Sequence, residues 1–302
     1  MKAKTIKAVL AKKHAELVTS IEDEHVRKLV RKNSIVTGGA IVSMLLGEKV
    51  NDFDYYFLDM ETVMAVSKYY VAKFIELNPD KQKPRVVIDG DRVRIMIQSA
   101  GITSEEQDSP YQYFEQSEDP TDATNYVNEI MEILQAEEPA PGKPKYRPTF
   151  LTDNAITLSD KVQMVIRFYG DPKEIHSNYD FIHATCWWSS KDGHLELPAA
   201  ALQVILAREL VYNGSKYPLA SLIRARKFIQ RGWSINAGQY LKMALQISNL
   251  DLNNIEVLED QLTGMDVAYF QQVLNYIKKR QEEDNDFKLT SSYLVEIIDR
   301  MF

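Results

Sequence analysis

The sequence predicts an α+β chain in which a core built on a mixed sheet is followed by an all-α region. Three observations carry this. Between Ser34 and Asp59 a short β-type run, a glycine pair, an apolar helix pattern and a second alternating run follow one another. Between Arg85 and Ala184 further β-branched runs are separated by tight turns. After Leu197 the apolar residues recur at helical spacing almost throughout. Residues 1–33 therefore read as an N-terminal helical segment, 34–196 as the mixed domain with an acidic insertion at about 100–147, and 197–302 as a helical domain.

The elements follow in order. A helical pattern runs from Thr5 to Lys32. Ser34 to Thr37 is a short strand, Gly38-Gly39 breaks it, and Ala40 to Leu46 has the apolar spacing of a helix's first turns. A strand thus feeds a helix through a glycine turn, where a ligand can approach the backbone and the N–H groups of the helix start favour a phosphate. From Asp52 to Asp59 the chain alternates, with Asp52, Asp54 and Tyr56 set against Phe53, Tyr55 and Phe57, as a strand with one apolar face does. Side chains two apart share a face, so both carboxylates point the same way. Hard oxygen ligands held side by side suit Mg²⁺, and two such ions can activate an attacking hydroxyl and stabilise a leaving pyrophosphate. The competing reading is a tight turn beside a surface strand whose aspartates are merely solvated.

Val86 to Ile88 and Val93 to Ile97 read as a hairpin with Asp89-Gly90 as its two-residue turn and Asp91 just past it. Val162 to Phe168 is a strand, Gly170-Asp171-Pro172 a turn, Lys173 to His176 a short helix, and Asn178 to Ile182 a further strand carrying Asp180. Leu202, Ile205, Leu206 and Leu210 repeat at helix spacing. Pro218 opens a second helix with a stripe of Leu222, Ile229 and Trp233, and Ala237 to Ile247 gives a third. Met265 to Arg280 and Leu289 to Met301 give two more.

The glycine pair and the Asp-x-Asp resemble a known signature. Thr37-Gly38-Gly39-Ala40 followed by Asp52-Phe53-Asp54-Tyr55 resembles the nucleotidyltransferase superfamily, which includes DNA polymerase beta, poly(A) polymerases and CCA-adding enzymes. The resemblance covers about 25 residues directly, in order as well as in spacing. It implies that Gly38 and Gly39 hold the phosphates of a nucleoside triphosphate and that Asp52 and Asp54 bind two Mg²⁺ ions. It also implies a third carboxylate from a later strand, for which Asp180 is the candidate and the turn residues Asp89 and Asp91 are the rivals. The expected reaction moves a nucleoside monophosphate from an NTP, such as ATP, to a hydroxyl on an RNA 3′ end, a protein or a small molecule.

In such proteins a helical domain offers Lys, Arg or Tyr to the triphosphate. Lys216, Tyr217, Arg224 and Lys227 are the candidates here, against the alternative of a solvated helix face. CCA-adding enzymes usually carry an Arg-Asp pair in the helix after the glycines and a later Arg-Arg-Asp motif. This chain has Ser43-Met44 at the first place and nothing like the second, so it departs from an ordinary CCA-adding enzyme. A non-catalytic binding or structural module and a toxin-like enzyme acting on tRNA remain the alternatives. A second resemblance, carried by Tyr179 to Trp188, Tyr217-Pro218-Leu219 and Arg224 to Trp233, is to nucleotidyltransferase-like proteins of bacteriophages.

Composition bounds the rest. At 302 residues and 45% hydrophobic content, the chain has material for a sizeable core and about two domains. No apolar run approaches the roughly 20 residues that span a bilayer, and Met1-Lys2-Ala3-Lys4 lacks an apolar signal segment behind it, so no membrane partner is expected. The single Cys186 excludes an intrachain disulfide, which fits a reducing, cytoplasmic setting in a bacterium or an infected cell. The net charge of −7 argues against a protein that coats nucleic acid over its whole surface.

That charge is segregated. Ile102 to Ala140 holds eleven acids and no Lys or Arg, whereas Leu210 to Leu250 holds six Lys or Arg and no acid. Within the basic stretch Arg224, Lys227 and Arg231 share one helix face. Among other conspicuous residues, His183, Cys186 and His194 do not have the spacing of a zinc site, and Trp187-Trp188 reads as packing rather than a base platform. The glycines of a nucleophile elbow or of a dinucleotide fingerprint are absent.

Overall fold

The computed structural model describes residues 1–79, 83–96, 144–262, 277–281 and 287–301. By their contacts these divide into two units, the first holding the described residues up to Asn213 and the second those from Gly214 on. The acidic stretch from Ile102 to Ala140 lies outside the described residues, as does most of the helix expected from Met265.

The first unit opens with two helices where the sequence suggests one run. Helix α1 (Ala3–Ser20) and helix α2 (Glu24–Asn33) are separated at Asp23, whose carboxylate accepts the Val26 N–H at 2.9 Å and so caps α2. Strand β1 (Ser34–Thr37), helix α3 (Gly39–Leu46), strand β2 (Phe53–Phe57) and helix α4 (Met60–Leu77) follow. Asp52 falls one residue before β2 rather than within it. Strands β3 (Arg85–Asp89) and β4 (Arg92–Met96) make a separate hairpin. Its turn is Gly90-Asp91, one residue later than expected, because Asp89 pairs with Arg92 and Gly90 takes a φ of +62°. Glycine at the first turn position suits such a hairpin.

The remaining elements of this unit are β5 (Pro148–Leu151), β6 (Ala155–Leu158), β7 (Val162–Tyr169), α5 (Pro172–His176), a 3₁₀ turn (Ile182–Thr185), β8 (Trp187–Ser189), β9 (Leu195–Glu196) and α6 (Ala199–Ala207). The strand expected from Asn178 to Ile182 does not form. Asn178 and Tyr179 continue the turn of α5, their N–H groups bonding Ile175 O and His176 O, and only Phe181 makes a β-bridge, to Tyr212. Asp180 therefore lies in a bend, not on a strand.

Seven strands form one sheet in the order β5-β6-β7-β2-β1-β8-β9. All neighbours are antiparallel except β2 and β7, so the sheet is mixed and the fold class is α+β. The alternation of β2 sorts its two faces. Phe53, Tyr55 and Phe57 are buried, and their registered neighbours Val36, Val162, Met164 and Trp188 are buried with them. His14 of α1 stacks on Tyr55 at 6.0 Å and meets Trp188 edge-on at 5.5 Å. The opposite face carries Gln163, Asp54, Thr37 and Trp187 in one row across β7, β2, β1 and β8. Beside that row Ile35, Tyr56 and Ile175 of α5 close a smaller core.

In the second unit, helices Pro218–Gln230, Ala237–Ile247, Ile255–Leu262 and Ser291–Met301 are labelled α7 to α10. Leu258, Ile277, Leu289 and Ile297 form its buried cluster. Helix α7 buries Ala220, Ser221 and Ala225, while Leu222 and Ile229 of the expected stripe are 39% and 42% exposed. Among the described residues, no helix is long and apolar enough to cross a membrane.

One side chain ties two helices of the first unit together. Asp59 Oδ1 accepts the Thr62 N–H at 2.7 Å to cap α4, and Oδ2 accepts from Asn33 Nδ2 at 3.1 Å at the end of α2. Asp59→Ala removes both bonds, with an expected loss of about 1–2 kcal/mol. Thermal unfolding followed by circular dichroism should show the midpoint fall by about 3–6 °C.

Candidate active site

Thr37 stands opposite Asp54 in the register of β1 and β2, and the chain leaves β1 at Gly38. A Cβ at Gly38 would lie 3.1 Å from Asp54 Oδ2 and 3.8 Å from the Tyr179 hydroxyl. The backbone there has φ +84° and ψ −147°, a region that belongs to glycine. The glycine turn and the carboxylate that the sequence places 16 positions apart are thus in direct contact. The Gly38 N–H is already committed, donating to Ala184 O at 3.2 Å. Backbone donors for a phosphate begin instead at Gly39, beside which a Cβ would meet nothing within 4 Å.

Asp52 and Asp54 face each other's charge. The Asp54 carboxyl is held well above the usual carboxylate range, first because protein surrounds it and then because Asp52 lies beside it. Tyr179 covers the same spot. Its hydroxyl pairs with Tyr56 and Thr37, and burial together with the Tyr56 hydroxyl and the Asp54 charge raises its own proton affinity. Thr37 Oγ1 lies 2.8 Å from Cys186 O, its hydrogen-bond acceptor, and 2.9 Å from His176 Nε2. A hydroxyl carries one proton, so once it donates to Cys186 O the imidazole Nε2–H must be the donor to Thr37. Burial lowers the His176 pKa to about 4, so near neutral pH the ring is uncharged.

Tyr179 and His176 are the site residues that the sequence reading does not pick out. Nothing local marks them. Thr37 and His176 are 139 positions apart, and only the sheet brings them together.

The other candidates are placed as follows. Asp180 is half-buried in the bend after α5, where its main-chain oxygen accepts the Asn213 N–H at 2.8 Å. Its charge acts on His183, whose pKa burial nevertheless lowers to about 4. Asp89 is paired with Arg94 at 3.2 Å, and the Asp91 carbonyl accepts from the Tyr169 hydroxyl at 2.9 Å. Gln163 is the residue registered with Asp54 on the parallel strand β7. Among the described residues, no three His, Cys, Asp or Glu side chains gather in a metal-binding arrangement. Cys186 is buried, with its thiol pushed up to about 12 by burial.

Lys216, Tyr217, Arg224 and Lys227 all belong to the second unit. Lys216 is exposed, and its carbonyl accepts from Gln261 Nε2 at 2.8 Å. Tyr217 directly precedes α7, while Arg224 and Lys227 are half-buried on that helix.

Fold and site together define an α+β protein whose mixed sheet presents a carboxylate pair to a glycine turn. The chain belongs to the Gabija anti-defense 2 family, whose sequence model matches residues 8–208. It is 28% identical over 132 residues to the protein named Gabija anti-defense 2 of Bacillus phage SPbetaL7. That match takes in 43% of this chain and 32% of the phage protein, so the chain spans about a third of its relative's length. Among solved structures, the Thermotoga maritima CCA-adding enzyme complexed with tRNA aligns over 92% of this chain and 57% of that one, with 11% identity and a TM-score of 0.37. An apo CCA-adding enzyme aligns over 92% and 56%, also with 11% identity, at a TM-score of 0.36. At those scores neither decides anything about the site.

The raised Asp54 pKa has a signed consequence for stability. Between the unfolded pKa of about 3.9 and the higher folded value, the unfolded chain has released a proton that the folded chain retains, so stability falls as pH rises. The buried histidines act oppositely, since a folded pKa of about 4 removes stability as pH falls below the unfolded value of about 6.5. Comparison with Asp54→Asn isolates the carboxylate. In metal-free buffer this variant should melt above the native chain at pH 8 by several degrees, with the gap closing toward pH 4. Calorimetric melts across that range check it.

Proposed function

We propose that this chain is a Mg²⁺-dependent nucleotidyltransferase that moves a nucleoside monophosphate from an NTP to a hydroxyl acceptor and, as its family's name suggests, acts against the Gabija defence. The observation that carries the reading is the contact of the Gly38 backbone with the Asp54 carboxylate, with Asp52 beside it. A glycine turn brings phosphate oxygens close to the chain, and adjacent carboxylates supply hard oxygens for a cation that bridges to them.

The residues present fit a divalent cation. Burial and the Asp52 charge both oppose ionisation of Asp54, and positive charge beside the two carboxylates would relieve this. Asp52 and Asp54 would hold the metal, and Asp180 is kept as the third carboxylate, directed at the acceptor. When bound, Mg²⁺ supplies Lewis acidity toward the attacking and leaving oxygens. The chain's own groups do the positioning. Gly38 lets the turn close against Asp54, Gly39 leaves room for the substrate phosphate, Tyr179 shields the Asp54 carboxyl from water, and the Thr37–His176 hydrogen bond holds β1 to α5.

Lys216, Tyr217, Arg224 and Lys227 are proposed to neutralise the triphosphate from the second unit. The acceptor is an RNA 3′ end, a protein hydroxyl or a small molecule, and we place the reaction in the cytoplasm of the infected cell.

A second reading is favoured by one observation, that a glutamine and not an acid stands beside Asp54 on β7. On that reading the fold is a non-catalytic binding protein that counters Gabija by occupying a partner. Two measurements separate the readings. Purified protein with labelled NTPs, Mg²⁺, total tRNA and bacterial lysate should yield a labelled product, and Asp52→Ala or Asp54→Ala should lower its rate by at least about 100-fold. No labelled product from the native chain would sink the enzyme. In bacteria carrying Gabija, the same two variants should lose protection of an infecting phage. Full protection by both would favour the binding protein.

A further inference from the structure

One cleft of the first unit borders the site above and shares His176 with it. It has a volume of about 590 Å³ and is lined by Lys173 and His176 of α5, Thr185 of the 3₁₀ turn, Trp187 of β8, Pro198 and Asn213. It lies on the same face of the sheet as Asp54. Register places Asp54, Thr37 and Trp187 side by side on three consecutive strands, β2, β1 and β8. Strands are about 4.8 Å apart, so Trp187 stands about 10 Å from Asp54 along this row. That is the reach of a nucleoside monophosphate from its phosphate to its base.

We propose that this cleft seats the base of the nucleotide whose phosphates lie at the glycine turn, a placement that rests on the transfer reading above. Three features of the lining suit a base. Trp187 is half-buried, packed against the Ile35, Tyr56 and Ile175 cluster and 5.3 Å from the His194 ring, and the exposed part of its indole supplies a flat apolar surface. His176 has its Nε2–H committed to Thr37, which leaves Nδ1 as an acceptor for a base N–H. Among the described residues, no donor reaches Nδ1. Asn213 is exposed at the rim and carries both a donor and an acceptor.

The Thr185 hydroxyl donates to Ile182 O at 2.8 Å, so toward the cleft it can only accept. The row also explains why Thr37 matters twice. The same residue faces the carboxylate across the β1–β2 boundary and, through its hydroxyl, binds the imidazole that α5 brings to the cleft. Base and phosphate would then be gripped from a single strand end, which sets the distance between them without help from the helical unit.

Binding separates this inference from the reading it rests on. The probes are each of the four NTPs with Mg²⁺, and inorganic tripolyphosphate with Mg²⁺, which has phosphates and no base. Trp187→Ala should weaken the best-bound NTP by about 10-fold while tripolyphosphate binding stays within twofold. Trp187→Phe, which keeps an aromatic surface in the core, should hold NTP affinity within about threefold. Asn213→Trp, an exposed substitution at the rim, should block the cleft and weaken NTP again, without lowering the melting temperature. If Trp187→Ala and Asn213→Trp both bind NTP as the native chain does, the base lies elsewhere and the cleft proposal is overturned while the transfer reading stands. If the native chain binds neither NTP nor tripolyphosphate, both fall together.

Discussion

Thr37 sits opposite Asp54 across the antiparallel pairing of β1 and β2, and the candidate site is positioned from that register. Because side chains alternate, a slip of one residue would turn Asp54 into the core and expose Tyr55. The buried face prevents the slip. Phe53, Tyr55 and Phe57 are each 8% exposed or less, so moving them into water would cost several kcal/mol of apolar burial. The hydrophobic face of β2 is thus what aims its acidic face. Gly38 then follows one residue after Thr37, where the absence of a side chain lets the turn close against Asp54 Oδ2.

The electrostatics of the site follow from the same packing. Two carboxylates held side by side in a crowded place repel each other, and the chain accommodates this by raising the proton affinity of Asp54. Around them the polar groups are short of water. Tyr179 is held un-ionised, and His176 and His183 are kept neutral by burial. Such a region disfavours negative charge, which a cation beside the two carboxyls would relieve. The separate hairpin contrasts with it, since Asp89 there is exposed and paired with Arg94.

Much of this was legible in the sequence where the pattern was local. Ser34–Thr37 and Ala237–Ile247 are found at the limits their patterns suggest, and Gly170-Asp171-Pro172 opens a five-residue helix with a full capping box. What misled was context. The run Asn178 to Ile182 has the composition of a strand, yet the end of α5 commits the Asn178 and Tyr179 N–H groups to a turn. Leu222 and Ile229 look like an inner stripe, but α7 turns its small residues inward, where helices can approach closely. Periodicity reports that a helix has a face, and the neighbouring elements decide which face is covered.

Taken by itself, the sequence determined the strand, glycine turn, helix and strand around Asp52 and Asp54, and with them the kind of chemistry to look for. Those features depend on spacings of a few residues, for which backbone geometry alone is enough. Only the tertiary structure decided that Gly38 touches Asp54, that Gln163 and not an acid is registered with it on β7, and that Thr37 joins His176 to the site. Each of these pairs residues that lie far apart along the chain. Their meeting is set by strand order and register, which come from burying one whole face of a seven-stranded sheet and so cannot be read from any one segment.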